Sequence, residues 1–264
     1  MTTSGSRPLA VVTGASSGIG FELARQFADH GYDLIIAAED DAINTAARQL
    51  ADGPSVEPVQ VDLATEQGVE RLYERIRQDG RPLDAAALNA GIGAGGAFAT
   101  GTELAQELKL VDLNVRSTVH LAKYVTNDMV SRGSGRILFT SSIASTMPGP
   151  FQAVYNASKS FVQSFALALR NELKDTGVSV TSLMPGPTET EFFERADLLD
   201  TKLGQGEKDD PADVARDGFE ALMNGDEQVV SHSLKTKLQG RGGRLMPDSV
   251  KAEMHRKMAE PGSA

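Results

Sequence analysis

The chain has 264 residues, 40% of them hydrophobic and 23% charged, which is enough apolar matter for a buried core and too much for a disordered segment. It contains no cysteine and four well-separated histidines (His30, His120, His232 and His255); thiolate nucleophiles, disulfides, iron–sulfur clusters and thiol-rich zinc sites are excluded and no metal centre is expected. With 26 basic and 36 acidic residues the net charge is −10, a surface that repels phosphate backbones and anionic lipid, so neither a nucleic-acid nor a membrane-surface role is expected.

The opening MTTSGSRPLAVVTG has no basic start followed by a long apolar run, and no stretch approaches the roughly 18 apolar residues of a membrane span. The expectation is a soluble, cytoplasmic protein. Short apolar runs at 9–13, 33–38, 56–61, 84–88, 136–140, 178–183 and 228–231 alternate with segments whose apolar residues recur three and four apart, such as Leu23, Ala24, Phe27 and Ala28. Continuously apolar runs read as strands buried on both faces, and their alternation with helices predicts an α/β fold. The architecture expected is a doubly wound parallel sheet of about seven strands with helices on both faces, residues 1–264 forming one domain.

After the first run comes Thr13-Gly14-Ala15-Ser16-Ser17-Gly18-Ile19-Gly20, which opens the first helical pattern. Glycines there allow a tight turn and close approach of backbone to a pyrophosphate, whose charge the helix N-terminus favours. The spacing is G-x3-G-x-G rather than the general G-x-G-x-x-G, and a glycine cluster alone is equally a tight loop. At the end of the second run stands Glu39, nineteen residues after Gly20. An acid here can accept from an adenosine ribose 2′-OH and repels a 2′-phosphate, which favours NAD over NADP. Asp40 and Asp41 read equally well as helix-capping residues.

Past the fifth run lies Ser142, at what would be the carboxyl edge of the sheet, where open α/β sheets bind ligands. Thirteen residues on, Tyr155 and Lys159 are four apart at the start of a helical pattern and share one face. A phenol of pKa about 10 is a poor acid–base catalyst at neutral pH, and a neighbouring ammonium favours its ionised form. Residues 189–217 carry ten acids and four bases and read as a mobile insertion. Residues 235–257 carry seven bases and two acids, interrupted by Gly240, Gly242 and Gly243. They read as a loop and a short helix, with GRGGR a solvated turn rather than an RNA-binding box, since no aromatic residues interleave.

Taken together, these motifs resemble the short-chain dehydrogenase/reductase family, in its single-domain branch, over roughly residues 8–190. The resemblance rests on Thr13–Gly20, Asn89-Ala90-Gly91, Asn114 in Leu113-Asn114-Val115, Ser142, Tyr155-x3-Lys159 and Pro185-Gly186-Pro187-Thr188, in that order. It implies that Tyr155 is the general acid/base, that Ser142 orients and polarises the substrate oxygen, and that Lys159 binds the nicotinamide ribose while depressing the pKa of Tyr155. Asn114 would hold a water linking Lys159 to solvent, Asp62 beside Leu63 would meet adenine, and Thr188 the carboxamide. The dinucleotide would be held by Gly14, Ser16, Ser17, Gly18, Ile19, Gly20, Glu39, Asp62, Leu63, Asn89, Ala90, Gly91, Tyr155, Lys159, Pro185, Gly186 and Thr188. Ser17 and Glu39 stand where NADP-preferring relatives often carry a base, which leans the expectation for an NAD(P) cofactor towards NAD. No metal is implied.

The activity expected is therefore hydride transfer between a nicotinamide dinucleotide and an alcohol or ketone. The alternative is a nucleotide-binding regulatory protein that uses the fold without turnover. Residues 188–210 would form a lid over the substrate, with residues 232–264 a variable segment. The lid's acidity favours a neutral substrate; Phe192, Phe193, Leu198 and Leu199 are candidates for its apolar wall, and Met147, Pro148 and Phe151 for its border. By resemblance the helices near 104–132 and 152–176 join copies into a homodimer or homotetramer.

Overall fold

A computed structural model describes residues 7–231 and 246–264. The stretch GRGGR at 240–244 and His232 lie outside the described residues. Seven strands form one sheet in the order β3-β2-β1-β4-β5-β6-β7, every neighbouring pair parallel. They are β1 (Leu9–Thr13), β2 (Asp33–Ala38), β3 (Val56–Gln60), β4 (Leu83–Leu88), β5 (Gly135–Thr140), β6 (Val178–Met184) and β7 (Gln228–Val230). Each lies within one residue of a run expected from the sequence.

Side chains alternate between two cores, as the period of a strand requires. Val11, Ile35, Ala86, Ile137, Phe139 and Val180 face one side, covered by α3 (Glu66–Asp79), α5 (Thr118–Arg132) and α6 (Ala153–Glu172). Val12, Leu34, Ile36, Ala87, Leu138 and Leu183 face the other, covered by α1 (Gly18–Asp29), α2 (Ala42–Leu50) and α9 (Pro211–Asn224). Local chemistry sets the helix ends: Thr65 Oγ1 accepts from Gly68 N at the start of α3, and Gly80 ends it at φ 78°.

The sheet reverses its order between β1 and β4, and the crevice beyond their carboxyl ends is where such sheets take ligands. Around it lie α4 (Leu104–Val111), a π-helical turn at Asp112–Ser117 leading into α5, and a 3₁₀ turn at Ile143–Thr146. Residues 188–210, expected to form a lid, contain two short helices, α7 (Phe192–Arg195) and α8 (Lys202–Gln205). These have a small core of their own, in which Phe193, Ala196 and Leu198 are buried. The acidic stretch at 189–217 is thus not one insertion: its last residues are the first turns of α9, where Asp210 caps the helix and Val214 and Ala215 are fully buried. A last helix, α10 (Asp248–Ala259), packs on α8. No helix among the described residues is long and apolar enough to cross a membrane.

Candidate active site

The glycine turn connects β1 to α1 and is glycine-dependent in its backbone. Gly14 and Gly18 have φ of 67° and 56°, a region that disfavours side chains, and a Cβ on Gly20 would lie 2.0 Å from the carbonyl oxygen of Gly14. No acidic residue occupies the first turn of α1 and its N-cap, Ser17, makes no side-chain cap. The first N–H groups of that helix, which have no partner within the helix, meet the requirement for an anion site. Thr13 ties the turn to the loop after β4: its Oγ1 accepts from the N–H groups of Asn89 and Ala90, while Asn89 Nδ2 donates to Thr13 O.

On the adenosine side, Glu39 is exposed at the end of β2 and pairs with Lys109 of α4 at 3.0 Å. Asp40 accepts from Ser16 Oγ at 3.1 Å and from Ala42 N, so it joins the glycine turn to the start of α2. Asp62 is exposed after β3 and accepts from Ala64 N, beside a buried Leu63.

Under the crevice, α6 carries Tyr155 and Lys159 one turn apart. Lys159 is buried and its Nζ donates to Thr140 O at 2.9 Å. A Cβ on Gly91 would lie 3.3 Å from that Nζ and 3.1 Å from Asn114 Oδ1, so Gly91 leaves the space open between them. Asn114 sits in the π-turn, donating to Ile92 O and Ser158 Oγ and accepting from Ile92 N. Ser142 follows β5; its Oγ accepts from Ala144 N and reaches Pro185 O at 3.4 Å. Beyond β6, Gly186 N donates to Ser231 Oγ, and Thr188 is buried with its Oγ1 on Gly186 O. Thr190 closes the ring, since a Cβ on Gly18 would lie 2.9 Å from its Cγ2.

Burial dominates the electrostatics of the pair. Burial pushes Tyr155 up to about 12, opposed by a hydrogen bond from Ser142. The same burial pushes Lys159 down to about 8. Both shifts favour the neutral form, because burial penalises the charged one.

The sequence profile of short chain dehydrogenases matches residues 8–198. The chain belongs to the short-chain dehydrogenase/reductase family. It is 33% identical over 186 residues to sulfoacetaldehyde reductase 2 of Chromohalobacter salexigens, covering 70% of this chain and 74% of that protein. Among solved structures it is similar to a short-chain dehydrogenase from Sphingobium yanoikuyae in complex with NADPH (TM-score 0.78, 28% identity, 84% of this chain and 87% of the other). It is also similar to a 3-ketoacyl-(acyl-carrier-protein) reductase from Brucella melitensis complexed with NADH (TM-score 0.75, 25% identity, 84% and 96%). This short-chain dehydrogenase/reductase is an NAD(P)-dependent oxidoreductase that transfers hydride between the dinucleotide and a small molecule. A regulatory role without turnover is not favoured.

Several features of the site were not anticipated from the sequence. Phe192 of α7, expected at the apolar wall, lies against the Tyr155 ring, with centroids 5.2 Å apart, and its ring would meet a Cβ on Gly93 at 2.4 Å. Leu199, also expected there, is exposed, whereas Phe193 and Leu198 pack in the small core of α7 and α8. The acids Glu189, Glu191, Glu194, Asp197 and Asp200 are all exposed. Met147 and Pro148 line a cleft of about 630 Å³ with Ala153, Asn156, Ala157 and Ser160. Those positions of α6 face away from the side that carries Tyr155 and Lys159.

Proposed function

We propose that this enzyme interconverts a neutral, moderately apolar ketone or aldehyde and its alcohol, with Tyr155 carrying the substrate proton. One observation carries the reading: Tyr155, Ser142 and Lys159 converge beneath the crevice at the switch point of the sheet, with Lys159 Nζ 6.0 Å from the centroid of the Tyr155 ring and Ser142 beside the phenol. The bound nicotinamide supplies or accepts hydride at its C4 carbon. Ser142 orients the substrate oxygen beside the phenol. The phenol is protonated at neutral pH and in the reducing direction gives that proton to the carbonyl oxygen as hydride arrives at the carbon.

Lys159 holds the nicotinamide ribose, and Asn114 keeps the loop after β4 open beside it. The glycine turn from Gly14 to Gly20, with Ser16 and Ser17, receives the pyrophosphate at the N-terminus of α1, and Asp62 and Leu63 border the adenine. Asn89, Ala90, Gly91, Pro185, Gly186 and Thr188 enclose the nicotinamide half. Glu39, which pairs with Lys109 at the crevice rim, selects NAD by repelling a 2′-phosphate. Residues 188–210 act as the lid of a single domain. Their acids face water, so the apolar face of the lid, with Phe192, sets the character of the substrate.

Exposed Leu104, Leu108 and Val111 form one stripe on α4, and Phe161 of α6 is also exposed. These apolar side chains support a homodimer joined through the two helices. Replacing Tyr155 by Phe and measuring turnover beside dinucleotide affinity tests the catalytic reading.

A further inference from the structure

The helix α10 is far from the catalytic residues in sequence, yet it grips both borders of the substrate side of the crevice. At one border His255, 4% exposed, lies with Nδ1 3.1 Å from Pro150 O. A carbonyl oxygen only accepts, so Nδ1 carries the proton and donates; burial, which holds the imidazole below its ordinary pKa, keeps the ring neutral. The next residue, Arg256, places its guanidinium 5.0 Å from the centroid of the Phe151 ring. Phe151 has φ 64°, a strained value for a non-glycine residue. Such strain persists only where the surroundings hold it, and Phe151 lies four residues before Tyr155.

At the other border the residues after α10 hold the lid. Gly262 N donates to Asp200 Oδ2 at 2.8 Å and Ala264 N to Asp200 O at 3.0 Å. Lys202 N donates to Ser263 Oγ at 3.2 Å. The two borders are joined from within as well, since Gly96 N donates to Phe151 O at 2.9 Å and Gly95 N to Ala196 O at 2.7 Å. The lid, the loop after β4, the segment before Tyr155 and α10 therefore form one closed ring of contacts around the substrate side.

We propose that residues 248–264 are a clasp that fixes the lid relative to the catalytic helix, and that His255 is a positioning residue for substrate binding, acting through Pro150 and Phe151. Among the described residues, the clasp's hydrogen bonds and ring contacts beyond residues 247–264 go to Pro150, Phe151, Asp200 and Lys202, none of them assigned to the dinucleotide, so its loss should affect the substrate and spare the cofactor. This rests on the reading of 188–210 as the substrate lid.

Three full-length variants test it, with a neutral aryl ketone, acetophenone, as the carbonyl probe and the reduced dinucleotide as donor. His255→Leu fills the space without a donor, His255→Asn keeps an N–H near the Nδ1 position, and Asp200→Ala opens the other border at an exposed site. For His255→Leu the KM for ketone should rise about tenfold, the factor expected from one buried hydrogen bond, with kcat and the KM for dinucleotide unchanged. His255→Asn should restore most of it, and Asp200→Ala should shift KM in the same direction. Hydrogen exchange supplies a readout independent of turnover: amides at 192–205 should exchange faster in His255→Leu and Asp200→Ala, with those at 14–20 unchanged. Unaltered lid exchange in both variants, an equal rise in both KM values, or no rescue by Asn would overturn the clasp. Failure of the wild type to reduce the ketone would count against the substrate reading alone, and the exchange measurement would still decide the clasp.

Discussion

The rings of Phe192 and Tyr155 stand 5.2 Å apart at an angle of 50°. Helix α7 thus places an apolar ring on Tyr155, the residue proposed to exchange the substrate proton. Burial raises the phenol to about 12, and the Phe192 ring is one of the groups packed against it.

Replacing Phe192 by Ala should therefore let water reach Tyr155 and bring its titration down towards the ordinary value near 10. The chain has four tyrosines and no tryptophan, so tyrosinate absorbance reports them cleanly. Subtracting the titration of a Tyr155→Phe variant isolates the residue. A Tyr155 step that stays where it is in Phe192→Ala would show that the lid contact does not control it.

Lys159 gives a pH dependence with a definite sign. Its ordinary pKa is 10.5 and the folded value about 8, so between the two the unfolded chain binds a proton that the folded chain does not. Its contribution to stability rises with pH across that window and is fully unfavourable below it. Lys159→Met removes the buried ammonium. The stability advantage of this variant over wild type should be constant below pH about 8 and shrink as pH approaches about 10. Urea melts of both proteins across this range check it; a pH-independent difference would contradict the assigned shift.

Charge reversal at Glu39 should change cofactor preference without harming the fold. Its pair with Lys109 is half exposed on both sides, a class of contact that contributes about 0–1 kcal/mol. Glu39→Arg should raise the ratio of kcat/KM for NADP over NAD by about tenfold or more, since ~1.4 kcal/mol is readily supplied by one charge near a phosphate. An unchanged ratio would remove Glu39 from the cofactor site.

The stripe on α4 predicts an oligomer. Leu108→Asp combined with Phe161→Asp places charges among the exposed apolar side chains of α4 and α6 and should convert a dimer or larger species into a monomer in sedimentation velocity. Sedimentation of the wild-type protein as a monomer would contradict the interface.

Much of this structure was legible in the sequence because strands buried on both faces leave continuous apolar runs, such as DLIIAA for β2. The glycine turn was legible for a similar reason, since only glycine meets the backbone demands at Gly14 and Gly20. The contacts that tune the site were not. Glu39 and Lys109 are 70 residues apart, and His255 and Pro150 are 105 apart; nothing local in either pair signals the other. The raised phenol and lowered ammonium were not legible either, because sequence spacing reports proximity and not burial. The acids at 189–217 divide between an exposed lid surface and the first turns of α9, a boundary that charge density does not mark.

The central claim is that Tyr155 carries the substrate proton. The most direct measurement compares wild type and Tyr155→Phe in carbonyl reduction, with dinucleotide affinity measured on the same samples. Phenylalanine keeps the ring contact with Phe192 and removes only the hydroxyl, so affinity should be retained while kcat falls by about 10²–10⁴-fold. Turnover within a few-fold of wild type would contradict the assignment.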